Sequence, residues 1–165
     1  MGAVRTGLRR HSKERNVTST EQGRTHHIVV GIDGSDGSLA ALDWAVGQAE
    51  MTGYTLKVVT TWDWPAAFGM AFSYVPSDYS PSADAQKILD SALEKVRRDH
   101  PAVNVESLVA EGHPAPVLVE ASREADLLVV GSRGHGEFSG MLLGSVSEHC
   151  VTNAHCPVLV TRNQG

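Results

Sequence analysis

The sequence predicts a single α/β domain built on a five-stranded parallel sheet in the order 3-2-1-4-5, with helices on both faces. Three observations carry this. Short β-branched apolar runs alternate along the chain with longer segments whose apolar residues recur every three or four positions, the arrangement of consecutive strand-helix units with right-handed crossovers. The runs are nearly continuous rather than alternating with polar residues, as expected of strands covered on both faces. Two of them end in glycine-rich turns, GIDGSDGS and GSRGHG. Ligands of open α/β sheets bind beyond the carboxyl ends of the strands where the strand order reverses. If both turns serve one ligand, the first and fourth strands must be neighbours, which favours the stated order.

The elements follow in turn. His27 to Asp33 (HIVVGID) reads as the first strand. Ser35 or Asp36 is placed to cap a helix running to about residue 52, with Leu39, Leu42, Ala45, Val46 and Ala49 on one face and Gly53 as its stop. Thr55 to Thr61 (TLKVVTT) is the second strand. A second helix is expected from Ala83 to about His100, with Ile88, Leu89, Ala92, Leu93 and Val96 inward, halted before Pro101. Val103 to Ala110 is the third strand, and a third helix opens on Pro114 or Pro116, which suit a first turn. Asp126 to Gly131 (DLLVVG) is the fourth strand, Ser145 to about Ala154 a short helix, and Pro157 to Thr161 the fifth strand.

A chain of 165 residues, 41% of them hydrophobic, can bury one real core. The net charge of −5 is unevenly spread: residues 1–27 carry six basic and two acidic side chains, so everything after them is strongly acidic. That argues against a nucleic-acid surface on the folded part. Residues 1–25 read as a disordered basic extension, 26–162 as the domain and 163–165 as a tail. The extension lacks the apolar stretch of a secretory signal, and no run is long enough to span a membrane, so a cytoplasmic location is expected. Cys150 and Cys156 are too few for a disulfide framework and suit reduced thiols.

The stretch GSRGHGEFSGMLLGS holds five glycines between residues 131 and 144. Gly131 and Gly134 flank a tight turn where a missing Cβ permits positive φ and lets backbone N–H groups converge on an anion. Gly144-Ser145 stands at a helix start, where unsatisfied N–H groups and the helix dipole favour phosphate. Met141, Leu142 and Leu143 are expected to pin the loop to the core. Arg133 serves either to neutralise phosphate or to pair with a surface acid. His135 is either within reach of a terminal phosphate or merely exposed. Asp33 suits a ribose hydroxyl or Mg²⁺ at the switch point, though it can equally support the turn before the first helix. Ser145 is expected to cap its helix whether or not phosphate binds.

On these residues the chain resembles the universal stress protein family. The likeness rests on the motif G-x2-G-x9-G-S, here Gly131, Gly134, Gly144 and Ser145, with the opening VVGIDGS and the closing CPVLVTR, and covers about residues 26–162. It implies a Rossmann-like fold of the adenine nucleotide alpha hydrolase type, ATP as ligand and a metal site for Mg²⁺ near Asp33. The nucleoside contact falls by resemblance on Asp33 with Ile32, the phosphate contacts on Gly131, Gly134, Gly144 and Ser145, and the adenine wall on Val59 or Thr60 and on Ala110; Ser132 and Arg133, between the first two glycines, are further binding candidates. Val146 and Ser147 are second-rank candidates. A homodimer paired through the strand at 157–162 is also implied.

Other chemistries find no support in the sequence. GxxxxGK[ST] is absent, and the Gly134, Gly136, Gly140 spacing does not match a dinucleotide fingerprint. His149, Cys150, His155 and Cys156 lack a matched pair for zinc. No nucleophile-base arrangement stands out. Residues 61–82, with six of the nine aromatics, form either a lid or partner surface or a cover for the sheet edge. The expected function is an ATP-binding, nucleotide-dependent regulator of the stress response. The alternatives are a slow Mg-dependent ATPase and a nucleotide-independent interaction module.

Overall fold

The computed structural model describes residues 25–64, 80–134 and 142–162. Five strands form one parallel sheet in the order β3-β2-β1-β4-β5, as expected: β1 His27–Gly31, β2 Thr55–Trp62, β3 Val105–Glu111, β4 Leu127–Gly131 and β5 Val158–Thr161. The helices are α1 Asp36–Thr52, α2 Pro81–Asp99, α3 Pro114–Ala121 and α4 Ser145–Asn153, with a 3-10 turn at Ser122–Glu124 after α3.

Each helix begins or ends where the chemistry places it. The Ser35 side chain accepts from Ser38 N–H to cap α1, and Gly53 closes that helix at φ +74 with its N–H on the Ala49 carbonyl. Ser80 caps α2, and Pro81 takes the first turn, where its missing N–H costs nothing. Pro114, rather than Pro116, opens α3.

The core lies in two layers, one on each face of the sheet. Even-numbered residues of β1 and β2 (Ile28, Val30, Leu56, Val58) pack under α1 and α2 with Leu42, Leu89 and Leu93. Odd-numbered ones (Val29, Val59) join Leu118, Leu128, Val130 and Cys150 under α3 and α4. This two-sided burial is why the strands read as continuous apolar runs. At the amino end of the sheet, the Asp126 carboxylate meets His26 Nδ1 at 3.0 Å and accepts from the His27 N–H at 2.9 Å, tying the entry of β1 to that of β4.

Three local expectations need correction. Leu39 is 36% exposed, because α1 rests on Ala41, Leu42, Ala45, Val46 and Ala49 instead. Leu142 is 68% exposed and anchors nothing; Met141 lies outside the described residues. Ser145 is the first helical residue of α4 and Gly144 its cap, since Gly144 has the extended backbone that the capping position requires.

Candidate functional site

A cavity of about 390 Å³ opens at the carboxyl ends of β1 and β4. Strand lengths shape it. Gly31 is the last residue of β1 in register, opposite Val59 of β2, whereas β2 and β3 stay paired up to Trp62 and Glu111. At roughly 3.3 Å per residue, β2 therefore rises about 10 Å above the floor formed by β1 and β4. It makes one wall, and the turns after β4 make the other.

Asp33 stands at the floor, just past β1. Its Oδ1 accepts from Ser35 twice, from the backbone N–H at 3.0 Å and from the hydroxyl at 2.5 Å. The Ser38 hydroxyl accepts from Asp33 N–H at 3.2 Å and donates to the Ser35 carbonyl at 2.9 Å. This network fixes the carboxylate against the start of α1, so Asp33 supports the turn as well as facing the cavity.

The glycines are required by close approach rather than by unusual backbone. The described glycines with positive φ are Gly34, Gly53 and Gly112, not Gly131 or Gly134. A Cβ on Gly131 would meet the Gly37 carbonyl at 2.7 Å, and a Cβ on Gly134 would strike Asp33 Oδ2. Gly131 thus lets α1 pack against the end of β4, and Gly134 lets the two strand-end turns touch.

Ser132 is buried and does not line the cavity. Its N–H donates to the Thr161 carbonyl at 2.8 Å, and its own carbonyl accepts from Gly144 N–H at 2.7 Å and from the Ser147 hydroxyl at 3.0 Å. Backbone and Ser147, rather than Leu142, therefore tie the start of α4 to the end of β4, while Val146 and Cys150 join Leu128 and Val130 in the apolar layer. The Gly144 N–H is spent on this contact. The N–H groups of Ser145, Val146 and Ser147 belong to the first turn of a helix without a side-chain cap, where no intrahelical partner exists. Ser145 is exposed and lines the cavity with Val146, Arg133, Gly134 and Gly144. Arg133 makes no ion pair among the described residues.

Ile32 and Val59 line the cavity. Thr60 faces the opposite layer, under α1 and α2, because its parity on β2 is that of Val58. Ala110 does not reach the cavity; Gly112, two residues further on, does. The lining also includes Gly31, Ser38, Thr61, Asp63, Pro114 and Leu118, none of which the sequence marks as a binding residue. The period of two along β2 from Val59 is the signal that finds Thr61 and Asp63. His135, Gly136 and Gly140, and most of the aromatic segment (65–79), lie outside the described residues.

The arrangement suits a polyanion joined to a flat or sugar-like body. One end offers a helix N-terminus, a guanidinium and glycine backbone; the other has apolar Val59, Pro114 and Leu118 with polar Thr61 and Asp63. Asp33 lies between. Among the described residues no three His, Cys, Asp or Glu side chains gather to hold a metal. A divalent ion at Asp33 would therefore take most of its oxygens from phosphate and water.

Fold and cavity together define a doubly wound α/β protein with a ligand cleft at its topological switch point. The chain belongs to the universal stress protein family, whose family model matches residues 24–162. The universal stress protein Rv2624c of Mycobacterium tuberculosis is 35% identical over 138 residues, covering 83% of this chain and 48% of that protein. The chain spans about half the length of the curated relatives it matches. Among solved structures, the universal stress protein UspA from Lactobacillus plantarum superposes with a TM-score of 0.68 at 24% identity, covering 84% of this chain and 99% of its own. A universal stress protein in complex with cAMP gives a TM-score of 0.61 at 30% identity, covering 84% and 97%. No helix among the described residues is long and apolar enough to cross a membrane.

Proposed function

We propose that this chain is a nucleotide-dependent regulator that binds an adenine nucleotide, with ATP the favoured form, in the cavity over β1 and β4. The observation that carries the reading is the meeting of the two strand-end turns: Gly134 comes against the Asp33 carboxylate while the uncapped first turn of α4 faces the same space. In this reading the N–H groups of Ser145 to Ser147 and the α4 dipole hold phosphate, and Arg133 adds charge. Asp33 accepts from a ribose hydroxyl, and the base lies along β2 and α3. The 30%-identical relative in complex with cAMP, a ligand made of the same three parts, supports this assignment.

Regulation rather than turnover is the proposed output. The described lining contains Asp33 and Asp63 as its carboxylates; Asp33 is committed to the turn and Asp63 stands about two strand spacings from the phosphate-favouring turn, so neither is placed in this reading to activate a water at the phosphates. Occupancy would tie the turns after β1 and β4 together and so alter the surfaces beside them. We further propose that the chain acts in the cytoplasm and pairs through the open edge of β5 as a homodimer, as the family resemblance implies.

The test is mass spectrometry of small molecules released from freshly purified, heat-denatured protein, together with calorimetric titration of ATP with and without Mg²⁺. Copurified adenine nucleotide or saturable binding supports the reading. Neither nucleotide release nor binding up to millimolar ATP, about −4 kcal/mol at that limit, would overturn it. Single-turnover hydrolysis in the same samples distinguishes a regulator from a slow ATPase.

A further inference from the structure

The wall formed by β2 carries a polar group that the turn motifs do not account for. Side chains at 59, 61 and 63 share one face by the two-residue period, and all three line the cavity. Val59 lies at the floor beside Gly31, Thr61 is one step higher, and Asp63 follows the last paired residue of β2, at the rim. The Asp63 carboxylate meets the turn that follows the neighbouring strand β3: its Oδ2 is 3.3 Å from Nε2 of His113, which stands at the N-cap position of α3. Oδ1 makes no hydrogen bond or ion pair among the described residues. A carboxylate on this wall is therefore placed by the end of β2 and contacted by the histidine through one oxygen, while the residue lines the cavity.

Asp63 is distant from the phosphate-favouring elements in the order of the sheet. Gly134 and Gly144-Ser145 follow β4, whereas Asp63 follows β2, with β1 between them. Two strand spacings of about 4.8 Å put roughly 10 Å between the two groups across the sheet. A second anion there would be repelled by Asp63. An N–H-bearing group is what an ionised carboxylate selects, because it can only accept hydrogen bonds. The flanking Pro114 and Leu118 provide apolar contact for a flat ring whose edge meets Asp63.

We infer that Asp63, positioned by His113, is a specificity-determining residue that reads the exocyclic amine of the nucleotide base. The inference rests on the nucleotide reading above and deepens it. Adenine presents its 6-amino N–H to Oδ1. Hypoxanthine presents a carbonyl oxygen at the same place, leaving two acceptors facing each other, and an unmatched polar pair of this kind is what a binding site discriminates against. Because the Asp63 side chain is 42% exposed, water softens the mismatch, and the discrimination is moderate.

The experiment is calorimetric titration of ATP and inosine triphosphate against the wild-type chain, Asp63→Asn and His113→Ala. Wild type is expected to bind ATP at least tenfold more tightly than inosine triphosphate, about 1.4 kcal/mol. An Asn amide both donates and accepts, so Asp63→Asn is expected to bring the two ligands to within about threefold of each other. His113→Ala leaves the carboxylate present but unheld and should give an intermediate ratio with unchanged thermal stability, which keeps the test available if Asp63→Asn fails to fold. An unchanged ratio in folded Asp63→Asn, or guanosine triphosphate binding more tightly than ATP to wild type, would overturn the inference while the nucleotide reading stands. If wild type binds no nucleotide at all, the underlying reading fails instead.

Discussion

The carboxylate of Asp33 lies directly against Gly134, with Oδ2 in the space a Cβ on residue 134 would occupy. Two turns separated by about a hundred residues of chain thus touch at one point. Any side chain at 134 must displace either the carboxylate, which Ser35 holds with two hydrogen bonds, or the turn after β4.

Substitution of Gly134 by Val is accordingly expected to weaken ATP binding by at least tenfold, about 1.4 kcal/mol, while the far-ultraviolet circular dichroism spectrum stays unchanged. Gly134 has no positive φ, so the backbone itself tolerates a side chain. Loss of the folded spectrum along with binding would show that the turn is structural.

Ser145 and Ser147 are two residues apart and should behave differently. The Ser147 hydroxyl is buried and contacts both the Ser132 and Gly144 carbonyls at 3.0 and 2.9 Å. Ser147→Ala should therefore cost about 1–2 kcal/mol of stability by chemical denaturation. The exposed Ser145 should leave stability within about 0.5 kcal/mol on substitution by Ala, with its effect confined to nucleotide affinity.

Asp33 carries two roles that two variants separate. Asp33→Asn keeps an acceptor for Ser35 and should mainly reduce nucleotide affinity, about tenfold or 1.4 kcal/mol. Asp33→Ala also strips the Ser35 N–H and hydroxyl of their acceptor, adding roughly 1–2 kcal/mol of destabilisation. Equal thermal midpoints for the two variants would contradict the double role.

Burial pushes the Cys150 thiol up from 9.0 to about 11. Its folded-state value exceeds its unfolded one, so the neutral thiol contributes stability that is fully present below about pH 9 and is lost as pH rises toward 11. Denaturant midpoints measured from pH 7 upward should fall above pH 9, and the fall should be shallower in Cys150→Ala. At neutral pH the native Cys150 should resist alkylation that proceeds readily once the chain is unfolded.

Leu42, 1% exposed between α1 and the sheet, tests the first layer of the core. Leu42→Ala should cost about 2–5 kcal/mol. Breaking the Lys95–Asp43 pair that links α2 to α1 on the exposed surface should cost less than about 1 kcal/mol.

Much of this molecule was legible from periodicity and turn chemistry. Continuous runs such as Ile28 to Val30 and Leu128 to Val130 announced doubly covered strands, and Ser35, Gly53 and Pro114 marked helix ends, because these signals act within a few residues. The sheet order followed from one added condition, that the glycine-rich ends of β1 and β4 serve a common site. Exposure around the loop was harder to read. Leu142 is apolar yet outside the core, and the start of α4 is tied to the end of β4 by the Ser132 carbonyl, a group that composition does not reveal.

The amino-acid sequence by itself determined the strand-helix alternation and the parallel sheet, because these depend on local periodicity, whereas the meeting of Asp33, Gly134 and Ser145 in one cleft was a condition placed on the sheet order that the assembled structure met. Only the tertiary structure decided why Gly131 and Gly134 must lack side chains. Their constraint is not a φ angle but the approach of Gly37 and Asp33 from elsewhere in the chain. It also decided which residues of β2 meet the cavity. Val59, Thr61 and Asp63 do so because β2 outruns β1 by three paired residues, and the pairing register of two separate strands is a property of the assembled sheet.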